Sequence, residues 1–206
     1  MIQNIADANP TRREAELRRR APQTTPFYCC IGIGFAVLLR TLVGGNLVAS
    51  SKPAAFFFAL CLGGLAVAAG WRPTFPQLRG VGIGIGGAGV LVAFSLMRLG
   101  SVVWANQVGR PEWLVWSLLV ALIATSEEVA LRGVLFDSMR KRHGDSAAVL
   151  VSAAVFALMH VPLYGFAALW LDLAVGLFLG ALRLIAGLSA AVTAHLVADL
   201  AAGALL

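Results

Sequence analysis

A chain of 206 residues that is 59% hydrophobic and only 13% charged cannot cover a water-facing surface, since soluble domains are about 25% charged. This excludes an ordinary soluble enzyme, a disordered chain and a collagen-like fibre, and it leaves a polytopic membrane protein. The formal net charge of +6 does not point to nucleic acid, because the basic residues sit ahead of and between apolar runs, as the positive-inside rule requires of membrane proteins.

Residues 1–26 are polar, carry Arg12, Arg13, Arg18, Arg19 and Arg20, and contain no small-residue cleavage site. They read as a basic cytoplasmic tail and not as a signal peptide. A spanning helix needs about 20 mainly apolar residues. Seven runs meet or approach that length: 27–45, 54–70, 80–97, 113–136, 146–163, 165–182 and 187–206. They are separated by Ser51-Lys52-Pro53, Trp71-Arg72-Pro73, Arg110-Pro111-Glu112, Arg140-Lys141-Arg142-His143, Pro162 and Arg183. Lipid cannot satisfy open backbone groups, so each run is predicted to be helical. The expectation is an all-α membrane bundle of about seven helices, with three spans in 27–112 and four in 113–206.

With the N-terminus inside, eleven basic residues fall on the inner side. Only Lys52, Arg98 and Arg110 fall outside, and Arg40 and Arg132 lie within spans. This asymmetry predicts an integral protein of a bacterial inner membrane, N-terminus cytoplasmic. The glycine-rich run from Gly80 to Gly87 lacks the Lys-Ser/Thr ending of a phosphate loop. Its spacing predicts close helix packing instead. Cys29, Cys30 and Cys61 show no CxxC or metal spacing and read as apolar packing residues.

An ionisable group at mid-bilayer costs about 2.5–3.5 kcal/mol on insertion scales and marks function by default. The first three runs hold one, Arg40, expected to snorkel to the outer interface. The later runs hold Glu127, Glu128, Arg132, His160, Asp172, His195 and Asp199. Glu128 and Arg132 are four apart and share a helix face, so they can pair. Glu127 points about 100° away and is left as a general-base candidate in an apolar pocket. His195 and Asp199 are also four apart; Asp199 can orient the imidazole, or both can hold a metal or a substrate oxygen. A purely structural ion pair or His–Asp hydrogen bond is the competing account, and Asp172 reads as cavity lining or as an interhelical partner. At about 1.5 Å per residue, Glu127, His195, Asp199 and His160 lie about 13, 12, 18 and 21 Å from the inner ends of their runs, close enough to form one layer.

Three signatures in order, Glu127-Glu128-x-x-x-Arg132, Phe156-x-x-x-His160 and His195-x-x-x-Asp199, resemble those of the CPBP (CAAX protease and bacteriocin-processing, or ABI) intramembrane proteases. Gly133, Gly176 and Gly180 resemble their usual surroundings, and the likeness covers about residues 113–206. The resemblance implies hydrolysis of a peptide bond in a membrane-anchored or lipidated protein or peptide. Glu127 and His160 would activate water, His195 and Asp199 would hold the oxyanion, and Glu128 and Arg132 would support the site. The family often has Asn where this chain has Asp199. An ionised Asp cannot donate to an oxyanion, so Asp199 must be protonated or act by orienting His195.

No cofactor is expected. Zinc held by Glu127, His160, His195 and Asp199 is the alternative, although the HExxH spacing is absent. Two other functions compete: a non-catalytic immunity or adaptor protein on the same scaffold, and a transporter or proton relay. The latter is disfavoured because buried polar residues do not continue through the first three runs.

Overall fold

The computed structural model describes residues 26–48, 50–99 and 112–205. The expected basic tail ahead of Pro26, and Arg110 with its loop, lie outside the described residues. Every regular element among the described residues is helical. Helix α1 (Pro26–Gly44) ends in a 3-10 turn, Gly45–Leu47. Helix α2 (Lys52–Ala68) is capped by Ser51, whose side chain accepts from the Ala54 amide, with Pro53 in the first turn. Helix α3 (Leu78–Leu99) is followed by α4 (Trp113–Glu128). Helix α4 passes directly into a π-helical segment, Val129–Leu135, and then into α5 (Phe136–Tyr164). After a 3-10 turn at Phe166–Ala168 come α6 (Leu169–Ala186) and α7 (Leu188–Leu205).

By length and composition, three stretches among the described residues can cross a membrane: Pro26–Leu47, Trp113–Tyr164 and Phe166–Ala186. Lys52–Ala68, Leu78–Phe94 and Leu188–Gly203 are shorter apolar helices. The basic stretch Arg140–His143, expected to be a connection, is helical. The break is Gly144 alone, at φ 83° and ψ −178°, a left-handed φ that only glycine adopts without strain. One residue there reverses the chain.

The reversals leave a bundle with two ends. At one end lie the α1–α2 connection and the start of α4, joined by a Lys52–Glu112 ion pair. At the other, the Gln77 amide donates to Ser189 Oγ at 3.2 Å, and Arg183 pairs with Asp137 at 2.8 Å. Phe35, Leu38, Phe57, Leu118, Leu150 and Trp170 are exposed on the outside, the surface that hydrocarbon requires. The main core joins Cys29, Ile33 and Ala36 of α1 to Phe58 and Leu62 of α2, to the π segment, and to Phe156 and Met159 of α5.

Lipid-solvated helices gain little from apolar contact, so close approach through small residues decides their packing. Gly80, Gly84 and Gly87 of α3 face α7 and its approach, as the spacing of the run predicts. A Cβ on Gly84 would come within 2.7 Å of the Ala190 carbonyl and 2.6 Å of Thr193 Cβ, whereas Gly82 faces open space. We therefore expect Gly84→Ala to lower stability by about 1–3 kcal/mol through overpacking. Gly82→Ala should be neutral or slightly stabilising, by helix propensity. Thermal unfolding of both variants in detergent checks the contrast.

Candidate active site

The polar layer is built around the junction of α4 and the π segment. A π turn carries one extra residue and breaks the regular i to i−4 ladder, a distortion frequent at functional sites. Here it leaves the Arg132 carbonyl to an outside donor, Arg183 Nε of α6, at 3.0 Å. Arg132 answers with Nη2 on the Gly176 carbonyl of α6 at 3.1 Å. Helix α6 comes this near because Gly176 has no side chain; a Cβ there would lie 2.9 Å from Ala153 Cα of α5. The Arg132 guanidinium also stacks over Phe156 of α5, 4.9 Å from the ring centre.

Arg132 Nη1 donates to Glu128 Oε1 at 2.8 Å, and both side chains are fully enclosed. The same carboxylate oxygen lies 2.9 Å from His195 Nδ1 of α7. With Glu128 paired to a cation, that ring nitrogen is the donor. The other nitrogen of His195, Nε2, stands 3.4 Å from Asp199 Oδ2 and 3.9 Å from Glu127 Oε2. Glu128, not Asp199, thus occupies the nitrogen that sets the orientation of His195. Asp199 is the open member of the layer, its side chain 46% exposed.

His160 places Nδ1 2.8 Å from the Phe156 carbonyl. A carbonyl only accepts, so Nδ1 carries the proton and the neutral ring keeps its lone pair on Nε2. The ring is held at 4.5 Å from Phe156 and stacks on Tyr164 at 5.8 Å and 9°. Glu127, His160 and Asp199 line one cavity of about 380 Å³, together with Arg40 and Tyr164. A second cavity of about 170 Å³ is lined by His160, His195, Asp199 and Asp172.

The residues singled out from the sequence thus lie together, in two connected sets. Glu128, Arg132 and His195 form an enclosed network, while Glu127, His160 and Asp199 face the open volume. Arg40 departs from expectation. Instead of snorkelling it is buried, with its guanidinium 4.8 Å from the Phe58 ring centre, Nε without a hydrogen-bond partner, and its side chain in the cavity wall. Burial beside a cavity holding Glu127 and Asp199 gives the cation acidic company that the outer interface would not. Tyr164 is not singled out in the sequence, although its place four residues after His160 puts it on the same face. Among the described residues, no three His, Cys, Asp or Glu side chains are grouped to hold a metal ion.

Removing one partner of a buried ion pair strands the other charge and costs about 3–5 kcal/mol. Arg132→Ala is therefore expected to lower the Tm sharply or to prevent recovery of folded protein. Arg140→Ala breaks only the exposed pair with Asp145 and should cost under about 1 kcal/mol. Thermal unfolding of the two variants side by side checks this.

Residues 109–201 match a family model described as type II CAAX prenyl endopeptidase, Rce1-like. No curated protein and no solved structure matches the chain. The matched stretch takes in α4, the π segment, α5, α6 and most of α7, and with them Glu127, Glu128, Arg132, His160, His195 and Asp199. This part of the chain, which carries the polar layer apart from Arg40, is thus similar to the Rce1-like CAAX endopeptidases, the resemblance that the three signatures carry.

Proposed function

We propose that this integral membrane protein is an endopeptidase that hydrolyses a peptide bond of a membrane-anchored or lipidated protein or peptide, with Glu127 and His160 activating the water. Similarity to that family over residues 109–201 supports a CAAX-type intramembrane endopeptidase. The observation that carries the residue assignment is the shared cavity. Glu127 and His160 line the same volume of about 380 Å³, large enough for a water and an extended peptide segment.

In this reading Glu127 takes a proton from the water, guided by the lone pair on His160 Nε2, and the resulting hydroxide adds to the carbonyl carbon. Negative charge then develops on the carbonyl oxygen. His195, held by Glu128, lines the smaller cavity that shares His160 and Asp199 with the larger one, and in its imidazolium form Nε2 donates to that oxygen. Asp199, 3.4 Å from Nε2, lends its charge to the imidazolium and does not itself donate while ionised. The tetrahedral intermediate collapses as the proton on Glu127 passes to the amide nitrogen and the C–N bond breaks. Glu128 and Arg132 are positioning residues, because they reach the reacting atoms only through His195 and the packing of the layer.

The residues proposed here need no metal. We also propose the orientation that the basic residues favour, N-terminus cytoplasmic, in a bacterial inner membrane.

Purified protein in detergent, incubated with a pool of membrane-anchored peptides and read by mass spectrometry, tests the assignment. Glu127→Gln and His160→Ala should each lower the cleavage rate by about 10²–10⁴-fold while leaving the Tm within a few degrees of wild type. Cleavage should survive a zinc chelator. Activity that persists in Glu127→Gln overturns the proposed base. Activity lost on chelation and restored by zinc overturns the metal-free mechanism. A folded wild type that cuts nothing in a broad pool favours the immunity or adaptor reading.

A further inference from the structure

The two ends of the bundle differ in charge and in access to the polar layer. Among the described residues, Arg72, Arg79, Arg140, Lys141, Arg142 and Arg183 lie at or near the end where α3 and α7 begin and α6 finishes. The opposite end, where α1 meets α2 and α4 begins, holds Lys52 in its pair with Glu112. By the positive-inside rule the first end is cytoplasmic.

The larger cavity reaches the other end. Its wall includes Ser50 and Ser51 of the α1–α2 connection and Lys52 at the start of α2. It follows α4 inward along Trp116, Leu119, Val120, Ile123 and Glu127, steps of three and four residues that mark one helix face. From Trp116 to Glu127 this stripe is about 16 Å long at 1.5 Å per residue. Beyond Glu127, towards the basic end, every residue from Glu128 to Phe136 is buried. The α4–π–α5 column is therefore closed below the candidate base and lined by a cavity above it. The smaller cavity lies on the same side: Tyr164 ends α5, Leu171 and Asp172 lie near the start of α6, and Ala202 lies near the end of α7.

We infer that the site is entered from the non-cytoplasmic face, and that its substrate is a membrane-anchored segment cut at its non-cytoplasmic end. An extended chain covers about 3.3 Å per residue, so 16 Å admits about five residues between that face and the bond. This selects against a lipidated C-terminus displayed on the cytoplasmic leaflet, which would meet the closed side. The inference rests on Glu127 and His160 forming the hydrolytic site, but the direction of access is measurable without activity.

The test starts from a protein in which Cys29, Cys30 and Cys61 are replaced by Ala. Ser50→Cys and Arg142→Cys are then introduced one at a time, and intact cells are treated with a membrane-impermeant maleimide. Ser50→Cys should label in intact cells at least about tenfold more than Arg142→Cys, which should label fully only after permeabilisation. The reverse pattern overturns the inference. Should the cysteine-free protein fail to fold, an epitope tag inserted at Ser50 in the natural-cysteine chain gives the same answer by its cleavage when protease is added to intact cells. A matched pair of substrates then carries one cleavable sequence at either end of a single membrane anchor. Cleavage confined to the non-cytoplasmic position supports the inference, and cleavage confined to the cytoplasmic position overturns it. If wild type cuts neither, the protease reading falls and with it the substrate assignment, while the labelling still decides the side of entry.

Discussion

The architecture depends on one enclosed ion pair, Glu128 with Arg132. Two charges without solvent call for hydrogen-bonding partners, and that need shapes what surrounds them, although Glu128 Oε2 and Arg132 Nε are buried without one. One Glu128 oxygen serves both Arg132 and His195. Arg132 spends its other terminal nitrogen on Gly176 and lays its face on Phe156. The pair thus draws α5, α6 and α7 onto the α4–π column. Glycine at 176 lets α6 come near enough, and the π segment frees the Arg132 carbonyl for Arg183. Helix packing in lipid lacks a strong apolar driving force, so such a polar clasp has unusual weight in setting the arrangement.

The clasp also gives two neighbouring carboxylates different settings. Glu128 and Arg132 are sealed and rigid, and they present His195 in a fixed orientation. Glu127, the next residue, emerges on the other side of the column into the cavity with His160 and Asp199. Neighbouring carboxylates thus have opposite environments, one paired and closed, the other open to a volume that can hold water and peptide. A helix achieves this with no further device, because adjacent residues point about 100° apart. The first half of the chain is more than packing in this arrangement. It contributes Arg40 and the α1–α2 connection to the cavity wall, and α3 braces the helix that carries His195 and Asp199.

Much of this was legible in the residues. The apolar runs announced a helical membrane bundle, the spacing of four announced the Glu128–Arg132 pair, and the glycine run announced close packing. The depth estimate put four polar groups in one layer from helical rise alone. Other features were hidden for identifiable reasons. The Arg140–His143 stretch looked like a connection because it is polar, yet polar residues are good helix formers and only Gly144 supplies a reversing φ. Arg40 looked like a snorkelling cation because nothing within its own run shows that acidic groups of α4 and α7 wait across the bundle. The π segment has no sequence period of its own and arises where α6 captures a carbonyl.

What the sequence determined by itself was therefore the set of local facts: which segments are helical, which side chains share a face, and which ionisable groups must be buried in the membrane. These follow from covalent connectivity and helical geometry, which any window of the chain contains. The tertiary structure decided which of two adjacent carboxylates is sealed and which is open, which nitrogen of His195 is held by Glu128, and at which end of the bundle the cavity emerges. Those depend on distances between helices far apart in the chain, set by glycine contacts and by the Arg132 clasp, and no local pattern encodes them.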